Sequence, residues 1–114
     1  MGKYNSIEYT NSKRAVFLDR DGVINKPLVR DGKPYPPGHP RDFVFFPGVI
    51  TAVDDLVRNG YIVIVVTNQP DVGNGFQKQE VVERIHDEMV KRLKVHEIKV
   101  CYHREEDNCY CRKP

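Results

Sequence analysis

Near its amino terminus the chain reads Val16-Phe17-Leu18-Asp19-Arg20-Asp21-Gly22-Val23. A short apolar run ends abruptly in two carboxylates, and the glycine that follows lets the chain turn sharply. Carboxylates at the tip of a strand can hold a hard cation such as Mg²⁺ through oxygen ligands. One of them can also attack phosphorus while the other handles the proton. The alternative is a solvated Asp-Arg-Asp-Gly turn after a strand.

The composition predicts a single globular domain, residues 1–114. The chain carries 18 basic and 16 acidic side chains, mixed along its length, for a net charge of +2. A nucleic-acid-binding protein would show clustered Lys and Arg, so we expect no nucleic-acid partner. The apolar run from Tyr61 to Val66 is far too short to cross a membrane. Because the amino terminus lacks the apolar core of a signal peptide, we expect a cytoplasmic protein.

The order of the apolar patterns predicts a repeated βαβ arrangement, and therefore an α/β fold with a parallel sheet. Ala15 to Leu18 is typical of a strand buried on both faces, and so is Tyr61 to Val66. Ile98 to Tyr102 predicts a third strand. Between the strands lie two amphipathic helices. Their apolar faces comprise Ile50, Val53, Leu56 and Val57 in the first, and Val82, Ile85, Met89 and Leu93 in the second.

Proline and glycine mark the boundaries of these elements. The segment from Pro27 to Pro40 contains five prolines and two glycines. It predicts an irregular surface loop that covers a site or contacts a substrate. Pro47 suits the first position of the first helix, and Asn59-Gly60 suits its end. Pro70 to Gly75 is typical of a turn.

Each predicted strand is followed by side chains that suit phosphate chemistry. Ligands of such sheets bind outside the carboxyl ends of the strands. These side chains are Asp19 and Asp21 after the first strand, Thr67 and Asn68 after the second, and Arg112 and Lys113 after the third. Cations can neutralise phosphoryl oxygens, a hydroxyl can donate a hydrogen bond, and one acid can act as nucleophile. Taken singly, Thr67-Asn68 also suits a strand-end turn, and Lys113 a solvated charge.

Three cysteines and a histidine cluster near the end of the chain. Cys101-x-His103 and Cys109-x-Cys111 supply three thiolates and one imidazole, enough to close a tetrahedral Zn²⁺ site. Four protein ligands leave no open position for substrate, so we expect a structural zinc loop, residues 101–111, that holds the segment after it. The alternative is reduced cysteines beside an exposed histidine. The other histidines, which we expect to be surface or packing residues, are His39, His86 and His96.

The chain resembles the haloacid-dehalogenase (HAD) superfamily of phosphohydrolases, in the branch that contains heptose bisphosphate phosphatases and histidinol-phosphate phosphatases. The matching segments are Phe17 to Asn25, Phe46 to Val49, Val66 to Gln69, Cys101 to His103 and Cys109 to Pro114. The resemblance implies a Rossmann-like parallel sheet with flanking helices. It also implies a Mg²⁺-dependent phosphomonoesterase that acts on a small phosphorylated metabolite, such as the sugar phosphate heptose bisphosphate.

The resemblance also implies a role for each catalytic residue. Asp19 would be the nucleophile that forms an aspartyl-phosphate, and Asp21 would be the general acid and base. Mg²⁺ would be held by an Asp19 carboxylate oxygen and by the Asp21 main-chain carbonyl. The binding roles would fall to Thr67 and Lys113 for the transferring phosphoryl group, and to Asn68 and Arg112 for the rest of the substrate.

Two features depart from the family's pattern. The family's fourth motif, an acidic pair that completes the Mg²⁺ site, has no counterpart before Pro114. We therefore expect a sheet without its carboxyl-terminal strands, an exposed edge at Ala15 to Leu18, and little turnover by these 114 residues themselves. Heptose bisphosphate phosphatases usually carry an arginine where this chain has Asn74. Nearby Asp71 would repel a second phosphate or accept a hydrogen bond from a sugar hydroxyl.

These departures leave other functions open. One is a phosphatase for a monophosphate such as histidinol phosphate. Another is a catalytically idle, zinc-stabilised fragment or binding module. A phosphatase for nucleic-acid ends is disfavoured because no basic face is evident. The oligomeric state stays open.

Overall fold

The structure, a computed structural model, describes residues 14–113. The expected single domain, 1–114, extends beyond these residues at both ends. Three strands form a parallel sheet, namely β1 (Arg14–Leu18), β4 (Tyr61–Asn68) and β5 (Glu97–Cys101). Their order in the sheet is β1-β4-β5. Two helices connect them, α1 (Val49–Arg58) and α3 (Gln79–Val90). The predicted α/β class and its βαβ order are confirmed.

The register places the ends of the three strands at one edge of the sheet. Leu18, the last residue of β1, lies opposite Val65, and Cys101, the last residue of β5, lies opposite Asn68. Because the strands are parallel, their carboxyl ends open onto the same side. The segments that follow them therefore begin close together.

Both helices pack on one face of the sheet. Val53 of α1 and Met89 of α3 belong to a single buried cluster with Val63 and Val65 of β4, and this cluster is the core. Successive right-handed crossovers in the same direction place their helices on the same face. The resulting molecule has two layers.

The other face of the sheet is only partly covered, so the expectation that β1 and β4 are buried on both faces is wrong. Phe17 lies on that face opposite Ile64, and its side chain is 66% exposed. Ile64 in turn lies opposite Glu97, which forms an ion pair with Lys99 at 2.6 Å. Within residues 14–113, β1 pairs with a neighbour along one edge only, in agreement with the expected exposed edge.

The proline-rich segment contains a β-hairpin, so the expectation of an irregular loop is wrong. β2 (Leu28–Arg30) pairs antiparallel with β3 (Lys33–Tyr35). The two residues between them take positive φ angles, 50° at Asp31 and 75° at Gly32. Such a turn matches the twist of the flanking strands, and Asp-Gly favours it.

The helix boundaries differ slightly from the expectations. Gly48 precedes α1 with a φ of 83°, so Pro47 lies outside the helix rather than at its first position. The end of α1 at Asn59-Gly60 is as predicted. The expected turn after β4 contains one helical turn, α2 (Pro70–Gly73). Among the residues described, no helix has the length and apolar character that a membrane span requires.

Candidate active site

Asp19 and Lys113 meet at the carboxyl edge of the sheet, although they lie 94 residues apart in the chain. The Lys113 ammonium contacts Asp19 Oδ1 and also donates a hydrogen bond to the Val66 carbonyl at 2.9 Å. Asn68 holds the Lys113 backbone with two further hydrogen bonds, at 3.0 and 3.2 Å. Its amide therefore positions the lysine. The Asp19 side chain remains 57% exposed, so a substrate can approach it.

Asp21 has a different environment from Asp19. Its Oδ1 accepts hydrogen bonds from Arg20 Nε (3.2 Å), Arg20 Nη2 (2.8 Å) and Asn25 Nδ2 (3.0 Å). Its Oδ2 accepts one from Gln69 Nε2 at 2.9 Å. Burial raises the pKa of Asp21, but the charge of Arg20 and these hydrogen bonds together bring that pKa below its ordinary value. Asp21 is therefore held as a carboxylate.

Thr67 and Arg112, the remaining residues expected at this site, have different environments. Thr67 is buried, and its hydroxyl accepts a hydrogen bond at 2.8 Å from the amide of Gln69, which also binds Asp21. Arg112 is half-buried, and its Nη1 atom has no hydrogen-bond partner among the described residues. An unpaired, buried guanidinium nitrogen suits an anionic ligand.

The sequence reasoning missed three residues that hold Asp21, namely Arg20, Asn25 and Gln69. All three lie within the segments that carry the family resemblance, but residue type alone does not show that they converge on one carboxylate. The turn that brings two of them together is local. The Arg20 carbonyl accepts hydrogen bonds from the backbone N–H groups of the three residues 23–25, at 2.8 to 3.2 Å.

The Asp19 carboxylate offers what a hard cation requires. It is exposed, follows β1 directly and keeps an oxygen beyond the one that contacts Lys113. Among the described residues, no backbone N–H donates to the neighbouring Asp21 carbonyl. These two oxygens could hold Mg²⁺, which prefers oxygen ligands and usually retains several waters.

The four expected zinc ligands do form one cluster. The ligand atoms of Cys101, His103, Cys109 and Cys111 all lie within 4.8 Å of one another. Cys101 Sγ lies 3.4 Å from Cys109 Sγ and 3.7 Å from His103 Nδ1. Ligands at tetrahedral angles around Zn²⁺ are about 3.8 Å apart, so the cluster could hold this metal.

The electrostatics of the cluster favour a bound cation. Burial raises the pKa of Cys109, but hydrogen bonds from its neighbours in the cluster lower it to about 7. The hydrogen bond to Cys101, followed by burial, raises the pKa of Cys111 to about 12. Three thiols this close cannot all lose their protons without a compensating positive charge, which a metal ion supplies.

A cavity of about 380 Å³ lies beside the Asp21 site. Gln69, which donates to Asp21, forms part of its lining, together with residues of the hairpin and of the segment after β4. Its charged and aromatic lining residues are Arg30, Tyr35, Asp71 and Phe76. The cavity therefore has room for a small molecule next to the hydrogen bond between Gln69 and Asp21.

Comparisons with known proteins point to one family, although no family model matches the chain. Over 106 residues the chain is 33% identical to a probable D-glycero-D-manno-heptose-1,7-bisphosphate 7-phosphatase of Thermoplasma volcanium, covering 89% of this chain and 68% of that protein. It is 31% identical to the D-glycero-beta-D-manno-heptose-1,7-bisphosphate 7-phosphatase of Bordetella bronchiseptica, covering 89% and 56%.

A solved structure gives the same result. The crystal structure of D,D-heptose 1,7-bisphosphate phosphatase from B. bronchiseptica, complexed with magnesium and phosphate, matches with a TM-score of 0.74 and 30% identity. The match covers 89% of this chain and 56% of that one. The chain thus spans little more than half the length of several relatives. The resemblance found in the motifs is confirmed: the chain belongs to the HAD phosphatases, in the heptose bisphosphate phosphatase family.

Proposed function

We propose that this domain, residues 1–114 with the zinc loop 101–111, provides the catalytic centre of a Mg²⁺-dependent phosphomonoesterase. Its substrate is a small phosphorylated metabolite, a sugar phosphate such as heptose bisphosphate, and its location is cytoplasmic. The observation that carries the proposal is the contact between Asp19 and Lys113 at the carboxyl edge of the sheet. An exposed carboxylate beside an ammonium group suits nucleophilic attack on a phosphate, because the cation offsets the repulsion between two anions.

The proposed reaction has two steps, and each uses one motif aspartate. An Asp19 oxygen attacks phosphorus, the bond from phosphorus to the ester oxygen breaks, and Asp21, in its minor protonated form, gives a proton to the departing alcohol. The second step regenerates this form. Asp21 then takes a proton from water, which attacks the aspartyl-phosphate and releases phosphate. The hydrogen bonds around Asp21 favour its carboxylate form, which the second step requires.

The other site residues support these steps. Lys113 and Thr67 bind the transferring phosphoryl group, Arg112 orients the substrate, and Asn68 acts on it through its hold on Lys113. Mg²⁺, held by Asp19 and the Asp21 carbonyl, would neutralise phosphoryl oxygens when bound. Zn²⁺ in the Cys/His cluster is structural and holds the segment that carries Arg112 and Lys113.

The cavity supports a second candidate substrate, histidinol phosphate. Asp71 lines the cavity and would repel a second phosphate, whereas it would attract an amine. Tyr35 and Phe76 offer rings against which an imidazole can stack. Arg30 has the opposite effect, because its charge favours a bisphosphate. The ratio of the Kd values of the two compounds for the chain decides between them, because binding can be measured without turnover.

The nucleophile can be tested without turnover. Fluoroberyllate binds an aspartate oxygen as a mimic of aspartyl-phosphate, and ¹⁹F NMR detects the bound form. With millimolar Mg²⁺ we expect a bound signal for the chain, no signal for Asp19→Asn, and an unchanged signal for Asp55→Asn, an exposed aspartate on α1. No adduct in the unmodified chain would instead favour a catalytically idle binding module.

A further inference from the structure

Arg20 lies between the two motif aspartates, and its side chain is buried in the protein. Its guanidinium makes contacts along two edges. Nε and Nη2 donate to Asp21 Oδ1, at 3.2 and 2.8 Å. Nη1 lies 3.1 Å from Nε2 of His86, a buried residue of α3 that is 66 positions away in the chain. One arginine thus joins the catalytic turn to a helix on the covered face of the sheet.

The chemistry of the contact determines the state of the histidine. A guanidinium has donors and no acceptor, so His86 Nε2 must accept the hydrogen bond. Only the imidazole tautomer with its proton on Nδ1 offers this acceptor. The ring of Phe43, whose centroid lies 5.9 Å from the guanidinium carbon, provides a further packing contact. Among the described residues, the side chains that contact this buried cation through polar atoms are Asp21 and His86.

We propose that His86 is a positioning residue for Asp21 and acts through Arg20. Within residues 14–113, side chains donate four hydrogen bonds to the Asp21 carboxylate, and two of them come from Arg20. Loss of the acceptor at position 86 leaves a buried guanidinium edge unpaired, which is costly, so the group turns to find another partner. Asp21 then loses the two hydrogen bonds that Arg20 donates. The catalytic meaning of this contact rests on the proposed function, in which Asp21 is the acid and base.

The contact is tested by hydrogen exchange of the Arg20 Nε–H group with solvent, followed by NMR. The signal of this group is identified by its absence in the variant Arg20→Lys. We expect a slowly exchanging signal in the unmodified chain and a loss of protection of at least tenfold in His86→Leu. His86→Gln restores the protection to within threefold, because its amide oxygen can accept from Nη1. The control is His96→Leu, which removes another buried histidine, an acceptor for the Val63 N–H, and leaves the Arg20 signal unchanged.

Equal protection in His86→Leu and in the unmodified chain would overturn the proposal. A loss that His86→Gln fails to restore would overturn it too, because the effect would then follow from packing alone. If His86→Leu does not fold, His86→Phe replaces it, since that ring fills the space without offering an acceptor. The fluoroberyllate test is independent. Failure of that test would refute the proposed nucleophile while the exchange data still decide whether His86 holds Arg20.

Discussion

At the scale of single residues, side chains of the same type differ in their surroundings. Asp19 is exposed and contacts a lysine, whereas Asp21 accepts four hydrogen bonds from side chains in the described part of the chain and is 30% exposed. Two carboxylates in different surroundings can take different roles, as nucleophile and as acid and base. The histidines differ in the same way. His39 is exposed and accepts from the Arg41 N–H at 3.2 Å, while His96 is buried and accepts from the Val63 N–H at 3.0 Å.

The buried His96 predicts a pH dependence of stability. Burial lowers its pKa in the folded chain, so the unfolded chain binds the proton more readily. Stability is therefore lost as pH falls below the unfolded pKa of about 6.5. In His96→Asn, which keeps an acceptor but does not titrate, the free energy of unfolding should fall less between pH 7.5 and 5.5. Urea denaturation measures it. His39→Asn is the control, and an equal pH slope in all three proteins would contradict the prediction.

At the scale of elements, the structure of two segments depends on turn residues and on the Cys/His cluster, and not on the periodicity of apolar residues. The Asp31-Gly32 turn produces a hairpin in a segment whose prolines suggest a loop. Asp-Gly is a hairpin signal, but the two strands are only three residues each, too short for a clear alternation. The segment after β5 is organised by the Cys/His cluster, and Lys113 comes two residues after Cys111.

Removal of zinc should loosen this segment and lower stability. At free zinc a hundredfold above its Kd, binding adds about 2.7 kcal/mol, which corresponds to an increase in Tm of roughly 10 °C for a domain of this size. We expect that increase on addition of Zn²⁺, its reversal by a chelator, and its absence in Cys109→Ser. The control variant His39→Asn, which lies outside the cluster, should show the same increase in Tm on addition of Zn²⁺. Thermal unfolding by circular dichroism is the measurement. A Tm that does not change on addition of Zn²⁺ would rule out a structural zinc site.

At the scale of the whole molecule, the helices of the described residues 14–113 cover one face of the sheet. The less covered face carries Phe17 and Ile64, and β1 has a free edge within residues 14–113. Exposed apolar surface next to an unpaired strand edge favours association. The same arrangement would accept further strands and helices of a longer protein, as the length of the relatives suggests.

This surface predicts self-association of the isolated chain. Phe17→Thr removes an exposed ring and keeps a residue that favours strands, so it should lower the association constant about tenfold or more with little change in stability. Sedimentation velocity over a range of concentrations measures this. Phe76→Thr is the matched control, because Phe76 is 82% exposed but lies outside the sheet. If Phe17→Thr and Phe76→Thr have equal association constants, the exposed face of the sheet does not cause the self-association.

Local patterns in the sequence were enough to predict the three strands of the parallel sheet, the two amphipathic helices that connect them, the Cys/His cluster and the edge of the sheet at which Asp19 and Asp21 lie. These features depend on residue type and spacing, which the chain carries along its own length. Tertiary structure alone decided that both helices cover the same face, that Asn68 holds Lys113, and that Arg20 joins Asp21 to His86. Each of these depends on which groups meet after folding, because the partners are tens of residues apart and many polar side chains in the chain have equivalent chemistry.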